Sequence, residues 1–444
     1  MKNLSMHLQK SLAMQERAKR LIPGMTQLLS KRPDMFSQGI WPGYFSRAAG
    51  ARVWDLDGNE YIDMSISGIG ANILGYADPE VDGAVKRAIA SGTSCSLNCP
   101  EEIELAELLC ELHPWADMVR YARTGGEAMA VAVRIARAHT GKDKIAFCGY
   151  HGWHDWYLAA NLTDKEALGD HLLPGLSPVG VPRSLADSAF PFRYNHAEEL
   201  EEIVSKHGQD IACITIEPIR NQYPEPGFLE GVRATAHEIG AVLVMDEVSA
   251  GFRLTTGGAH LQLSGIRPDI AVFSKALGNG YPIAAVIGKG AVMGAAQSTF
   301  ISSTNWTERI GPTAALATIQ KHRREHVSDH LQQLGGKIQQ GWAQLAAKHG
   351  LTIDIGGIAP LSHFSFPGES AGAMKAFFIQ TMLAKGFLAS NLYYAMHAHT
   401  TEDVQAYLEA ADETFAELSD VMERSDIMQK LQGLPARSGF RRLT

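Results

Sequence analysis

The 444-residue sequence predicts an α/β fold on a mostly parallel central sheet, and three observations carry that prediction. Five short apolar runs, at 144–150, 211–218, 241–248, 269–275 and 283–289, are rich in β-branched residues and lack polar alternation, as strands covered on both faces do. Helical patterns separate many of them, so the strands are joined by crossovers that place helices on the sheet faces. The length exceeds what one small core organises, which predicts a large domain with a smaller α+β appendage.

Taken in order, residues 6 to 21 alternate charge with leucine and methionine and predict an amphipathic helix. Residues 50 to 64, GARVWDLDGNEYIDM, alternate around Asp57-Gly58-Asn59 and predict a β-hairpin. PEVDGAVKRAIASG and PEEIELAELLCELHP open on proline and acidic residues, the chemistry of helix starts. MVRYA predicts a strand, followed by a Thr124-Gly125-Gly126 turn and a helix from about Glu127. From about residue 313 one long helix is expected to reach about 350, leading to an α+β segment that ends near 424. The tail beyond it, with QGLPARSGFRRLT, reads as an arm or a poorly ordered end.

Composition narrows the function classes. At 45% hydrophobic and 20% charged, with net charge -8, the chain is ordinarily globular, and its scattered lysines and arginines form no nucleic-acid footprint. The five cysteines are odd in number and show no Cys-x-x-Cys pair, which argues against a disulfide framework or a structural zinc site and for a reducing compartment. The first twenty residues lack a signal-peptide apolar core, and no run of about 18 apolar residues occurs. A soluble cytoplasmic protein is expected, with neither nucleic acid nor membrane as partner.

Lys275 concentrates the chemistry. It follows the apolar run Ile270–Phe273 and precedes Gly278, Gly280 and Pro282. A lysine at a strand end ordinarily snorkels to solvent, but one at the rim of a core is a candidate nucleophile for carbonyl chemistry. Ligands of open α/β sheets sit beyond the carboxyl ends of the strands. Those ends carry Tyr150 and His151, then Glu217, then Asp246 and Glu247, then Lys275. The set matches a pyridoxal 5'-phosphate (PLP) site feature by feature. Lys275 would form the Schiff base, Asp246 would keep the pyridine nitrogen protonated, Tyr150 would stack on the ring, and Val248 would pack behind it. Thr124, Gly125 and Gly126, at a helix start, would offer amides to the phosphate, although such a turn also serves as a tight strand-to-helix connection.

Neighbouring residues were weighed in the same way. His151 is expected to brace the ring or the aspartate, and with no third ligand visible beside His151 and His154 no metal is expected. Glu217 is either a turn partner or a contact on the substrate side of the cofactor; Arg253 is either a salt-bridge partner or a surface charge. Cys95 and Cys99 read as packed or exposed thiols on a loop near the site. Trp153 and Trp156 read as interface core.

In WDLDGNEYIDM, TGGEA, the Tyr-His-Gly of CGYHGWHD, ITIEP, LVMDEVSAGFR and the lysine of FSKALGNGYPIAA, the chain resembles the class III, fold type I, PLP-dependent aminotransferases over about residues 20 to 420. The resemblance is close to the glutamate-1-semialdehyde 2,1-aminomutase branch. The order of these motifs and the 29-residue step from Asp246 to Lys275 make the match specific. The resemblance implies a large PLP-binding domain at 73–318 and a small domain formed by 1–72 and 319–444. It also implies a homodimer in which Thr307 caps the phosphate of the neighbouring subunit. Two departures stand out. The family's phosphate turn is usually Ser-Gly-Thr, so Thr124-Gly125-Gly126 lacks one hydroxyl. The aminomutases' Asn-Ser-Pro-Val-Arg run has no clear equivalent near Lys31 or Arg32, and FLASNLYYAMHAHT lacks the carboxylate-binding arginine of many ω-amino acid enzymes.

The expected reaction is transamination. An amino donor, with glutamate the expected one, would displace Lys275, whose freed amine, its pKa depressed in a partly dry site, would shuttle the substrate proton. The acceptor is expected to be an aldehyde or keto-sugar type carbonyl, such as an eight-carbon keto-deoxy sugar acid. The alternatives are the aminomutase reaction within one molecule and a non-catalytic PLP-binding regulator.

Overall fold

The computed structural model describes residues 7–171, 174–219, 221–263 and 266–437. The chain divides into two units, one formed by 1–78 with 330–444 and the other by 79–329. Met6 and the last residues of the tail, 438–444, lie outside the described residues.

Along the chain, the first strands belong to the discontinuous unit: β1 (Phe45–Ala49), β2 (Arg52–Asp55) and β3 (Glu60–Met64). β2 and β3 form the expected antiparallel hairpin. Asp55 closes its turn, Oδ1 accepting the amides of Asp57 and Asn59 at 2.9 Å each, while Gly58 takes φ +91°, a conformation glycine adopts without steric cost. The helix Gln9–Leu21 is anchored to the same turn. Its Lys10 and Ser11 amides donate to the Asp57 carboxylate at 2.7 and 2.9 Å, satisfying donors that a helix start leaves open.

The continuous unit holds the seven strands β4 (Met118–Ala122), β5 (Lys144–Cys148), β6 (Ala189–Pro191), β7 (Ile211–Ile216), β8 (Val242–Asp246), β9 (Ile270–Phe273) and β10 (Ala284–Gly288). They form one sheet in the order β4-β10-β9-β8-β7-β5-β6. The strands from β9 to β6 are parallel to their neighbours, and β10 is antiparallel to both β9 and β4. Every residue of β7 to β10 is buried, which is why these strands read as unbroken apolar runs. The helix Gly125–Thr140 lays Met129, Val133 and Ala136 into the core with Ile145, Phe147, Val244, Val272 and Val286. Each such side chain contributes about 1.5–3 kcal/mol through burial, so a charge at Val272 would break the centre of the sheet.

The expected long helix is two, Ile310–Arg324 and Val327–Lys348. His326 sits between them at φ +49°, a left-handed residue that an α-helix does not contain. The remaining strands, β11 (Asp354–Gly356), β12 (Leu361–Ser365), β13 (Phe387–Ala389) and β14 (Leu392–Tyr394), complete the discontinuous unit. β13 extends the hairpin sheet parallel to β3, and β11-β12-β14 form a second sheet. The helix Thr401–Glu423 opens on a Thr400/Asp403 capping box. No helix among the described residues is long and apolar enough to cross a membrane.

Candidate active site

The parallel strands β9, β8, β7 and β5 end side by side, and each delivers a polar group at or just past its last residue. Asp246 ends β8 and is 3% exposed. Its Oδ1 accepts the Val248 amide at 2.9 Å, and its Oδ2 accepts His151 Nδ1 at 2.7 Å. The other ring nitrogen of His151 lies 3.1 Å from the Cys148 carbonyl. Both nitrogens thus face oxygens that only accept, so the network assigns a proton to each. His151 is an imidazolium seated on the Asp246 carboxylate, fully buried.

Lys275 follows β9 at the start of a short 3₁₀ turn, Lys275–Gly278. Its φ of +45° is left-handed, a conformation that costs a non-glycine residue about 1–2 kcal/mol and is kept where the surroundings demand it. Its Nζ donates to Ser249 Oγ at 2.7 Å. Ser249 was not singled out in the sequence. Its place three residues after Asp246 is its one mark in the sequence, and the meeting with Lys275 spans 26 residues.

Glu217, 5% exposed just past β7, accepts the Tyr150 amide through Oε2 at 3.0 Å. This bond ties Glu217 to the loop that carries Tyr150 and His151, and Glu217 also lines the cavity beside the strand ends. The Tyr150 ring is half-buried against the core and meets Tyr157 edge-on at 6.1 Å. A cavity of about 270 Å³ opens beside these strand ends, lined by Asp170, His171, Arg193, Glu217, Asn221 and Gln222 among others. Burial, then the adjacent His151 charge, hold His171 below the ordinary histidine range. Burial and the Glu217 carboxylate push the Cys148 thiol well up, so that cysteine is inert.

The Thr124-Gly125-Gly126 turn differs in one detail from the sequence expectation. The helix starts at Gly125, two residues early, with Thr124 as its N-cap, Oγ1 accepting the Glu127 amide at 3.4 Å. A Cβ at Gly125 would stand 2.7 Å from Val248 Cγ1, so the turn can approach Val248 only as glycine. Val248 is therefore packed on the turn itself. Thr307 is exposed on the 3₁₀ turn Thr304–Thr307, and its hydroxyl donates to the Thr304 carbonyl at 3.0 Å. Arg123 clamps that segment, donating to the carbonyls of Trp306 and Glu308 at 2.9 and 3.0 Å. Arg253, for which a surface charge was one alternative, is instead 1% exposed, with Nε donating to the Ser249 carbonyl at 3.4 Å. Trp153 is 70% exposed while Trp156 is buried.

Behind Asp246 lies a second network that sequence reasoning did not find. Glu247, 1% exposed, accepts the amides of Ala259 and His260 at 2.9 and 3.0 Å and His260 Nδ1 at 2.6 Å. His260 Nε2 accepts Trp115 Nε1 at 3.1 Å, which makes this histidine neutral. His113 is neutral as well: Nδ1 meets the Leu109 carbonyl, Nε2 accepts the Gly258 amide at 2.9 Å, and burial lowers its pKa to about 4.

The arrangement fits PLP on the chain's own evidence. A helix start bared by two glycines suits a phosphate, a buried carboxylate with unused lone pairs suits a protonated ring nitrogen, and a buried-edge lysine suits an aldehyde. Comparison with known proteins agrees. The Aminotransferase class-III family model matches residues 38–415. The 3-aminobutyryl-CoA aminotransferase of Cloacimonas acidaminovorans (strain Evry) is 34% identical over 430 residues, covering 94% of this chain and 99% of that protein. The glutamate-1-semialdehyde 2,1-aminomutase of Natranaerobius thermophilus is 33% identical, covering 86% and 92%. Among solved structures, the FumI protein of Sphingopyxis sp. MTA144, in its PLP internal aldimine form, superposes with a TM-score of 0.84 at 27% identity, covering 96% of this chain and 99% of that one. An omega-transaminase from Sphaerobacter thermophilus gives 0.81 at 26%, covering 92% and 98%. A family model spanning most of the chain, relatives at a third identity and this strand-end chemistry agree: the chain belongs to the class III aminotransferases, PLP-dependent enzymes of fold type I.

Proposed function

We propose that this enzyme moves an amino group between two separate molecules, from an amino acid donor, glutamate, to an aldehyde or keto-sugar type acceptor, with Lys275 and Asp246 as its catalytic residues. In this reading Thr124, Gly125 and Gly126 hold the phosphate, Tyr150 covers one ring face, Val248 supports the other, and Glu217 and His151 keep the surrounding loop and carboxylate in place. Bound there, PLP supplies an aldehyde for the incoming amine and a protonated pyridine ring that accepts the electron pair of the substrate C–H bond. Asp246 would hold the proton on the ring nitrogen, and His151 Nδ1 keeps Asp246 in place at 2.7 Å. The Lys275 amine, at the rim of this site, would be the base that takes the proton from the substrate carbon and would return it to the cofactor's exocyclic carbon. Ser249 Oγ is the group that receives this amine when it is not covalently engaged.

The observation that carries the intermolecular reading concerns Arg32. It lies where the aminomutases have their substrate-engaging run, but it is 7% exposed and its guanidinium is committed to Asp34, Nε to Oδ1 at 3.0 Å and Nη2 to Oδ2 at 2.6 Å. A bidentate pair of this kind leaves little of the fork for a substrate carboxylate. The acceptor class rests on the cavity beside Glu217. Its acidic, basic and amide side chains offer both donors and acceptors, which a hydroxyl-rich chain needs and a hydrocarbon does not. The 34% relative favours a second reading, a β-amino acyl thioester. A homodimer with Thr307 given to the partner's phosphate, and a cytoplasmic setting, complete the proposal; the exposure of Thr307 and five free cysteines support them.

The test is incubation of the PLP-loaded enzyme with glutamate and, separately, an eight-carbon keto-deoxy sugar acid aldehyde, 3-oxobutyryl-CoA and glutamate-1-semialdehyde. The expected result is one 2-oxoglutarate per amine formed, with the sugar acid as best acceptor. Amine formed without a donor would establish the mutase reaction, and 3-oxobutyryl-CoA as best acceptor would replace the sugar assignment. Lys275→Ala should lose turnover and the visible absorbance of the lysine-bound cofactor; retained turnover would refute the catalytic assignment.

A further inference from the structure

The phosphate turn of this chain has glycine at 126, where the family's threonine would bring a hydroxyl. The surroundings show why. A Cβ at Gly126 would stand 3.2 Å from His154 Nδ1 and 3.3 Å from its Cε1, so the imidazole occupies the space a side chain at 126 would enter. The neighbouring loop closes in as well: a Cβ at Gly152 would stand 3.0 Å from Gly126 Cα, and Gly152 itself takes φ +104°.

The ring is held but its Nδ1 is not used. Trp153 stacks on it at 4.4 Å and 23°. Nδ1 is buried and has no hydrogen-bond partner among the described residues. A buried ring nitrogen without a partner is costly, and here it lies against the first turn of a 16-residue helix. Of that turn's amides, Glu127's is taken by Thr124 Oγ1, whereas those of Gly125 and Gly126 precede any carbonyl four residues back within the helix. Two backbone donors at the helix start and an imidazole nitrogen beside Gly126 are therefore available to a dianion bound there.

We infer that His154 is a phosphate-positioning residue, its Nδ1–H donating to the cofactor phosphate in place of the hydroxyl that glycine 126 lacks. This rests on the assignment of Thr124, Gly125 and Gly126 as the phosphate turn. The charged groups around the ring are compatible with it: Glu127 and Asp155 favour its protonated form, and Arg134 and Arg137 share the cavity of about 320 Å³ that the ring borders. Burial lowers the pKa of His154, and Glu127 and Asp155 act against that shift. A phosphate dianion at the helix start supplies the opposite charge and turns a neutral contact into a charge-assisted one.

The test is binding, not turnover. Cofactor-free wild-type protein, His154→Leu and His154→Asn are titrated with PLP and, in parallel, with pyridoxal, which keeps the aldehyde and lacks the phosphate. Asparagine places an amide donor near the position of Nδ1; leucine removes it. Leucine should weaken PLP binding by about ten- to a hundredfold, the range of one hydrogen bond to a charged group, asparagine should stay within about threefold, and pyridoxal should bind all three alike. PLP affinity unchanged in the leucine variant, or pyridoxal affinity lost in step with it, would overturn the role of His154 while leaving the phosphate turn in place. Wild-type protein that binds PLP no better than pyridoxal would instead remove the turn assignment and this inference together. If the leucine variant does not fold, His154→Ala gives the same readout.

Discussion

Asp246 and Glu247 are consecutive carboxylates at the end of one strand, both buried, each bonded to a histidine Nδ1, at 2.7 and 2.6 Å. What separates them is the far side of each imidazole. His151 turns its second nitrogen to a carbonyl, which takes a proton, and His260 turns its own to Trp115, which gives one. The first pair is an ion pair that can lose its proton and stay bonded. The second is a one-way chain, Trp115 to His260 to Glu247, with Glu247 further saturated by two loop amides. Asp246 accepts two hydrogen bonds, whereas Glu247 accepts three, two of them from amides of the 258–260 loop.

Amide substitutions should break this comparison most sharply. In Asp246→Asn the new amide faces His151 Nδ1, which can surrender its proton and accept, while Nε2–H still reaches the Cys148 carbonyl. The fold should hold, with a melting temperature near wild type, but the charge proposed to face the cofactor's ring nitrogen is gone, and turnover should fall by about 10²–10³-fold. Near-normal kinetics would remove Asp246 from the mechanism. Glu247→Gln has no such escape. Its amide faces an N–H on either side, and His260 cannot switch tautomer without pointing Nε2–H at the Trp115 N–H. A loss of about 3–5 kcal/mol of stability is expected from chemical denaturation, with turnover per folded molecule little changed. An unaltered midpoint would contradict the one-way chain.

Acidification sharpens the same contrast through His113, which donates nothing to Glu247 but accepts the Gly258 amide of the loop Glu247 secures. Burial depresses its pKa to about 4, against about 6.5 unfolded. The unfolded chain therefore binds more protons between these values. The stabilising contribution is complete above about pH 6.5 and is lost as pH falls to about 4, by up to about 3 kcal/mol. Denaturation midpoints measured across pH 7 to 4 should fall, and His113→Gln should flatten the slope; an equal slope in both proteins would place the titration elsewhere.

The two networks also differ in how far the sequence displays them. Asp246, Glu217, Tyr150 and Lys275 were legible because buried parallel strands leave unbroken apolar runs whose carboxyl ends point to the site. The Thr124-Gly125-Gly126 turn was legible from its small residues before a helix. Ser249, His154 and the Trp115–His260–Glu247 chain were not, because each is defined by partners brought together only by the sheet; Trp115 and His260 are 145 residues apart. The break at His326 was hidden for a local reason. KHRREHVSDH holds no glycine or proline, and a left-handed histidine leaves no mark in a helical pattern. Strands of three residues, such as β6 and β13, are too short for a period to show.

The smallest expected effect is the most discriminating. Trp115→Phe removes one donor, and with it the N–H that holds His260 Nε2 as an acceptor, at a cost of about 1–2 kcal/mol in stability. In that background His260 is free to carry its proton on Nε2 and present a bare Nδ1 to residue 247. The conflict that makes Glu247→Gln destabilising is then eased, because the glutamine amide has the ring nitrogen as an acceptor, although each position at residue 247 still faces one loop amide. The double variant should accordingly lose about 1 kcal/mol or more less than the sum of the single losses, a coupling measurable by a double-mutant cycle in urea. Asp246→Asn combined with Trp115→Phe should show additive stability effects, because His151 relaxes without any help from tryptophan. Additivity in the first cycle would mean that Glu247 and Trp115 act on the loop independently, and the contrast between the two carboxylates would then rest on the number of their donors rather than on the direction of their protons.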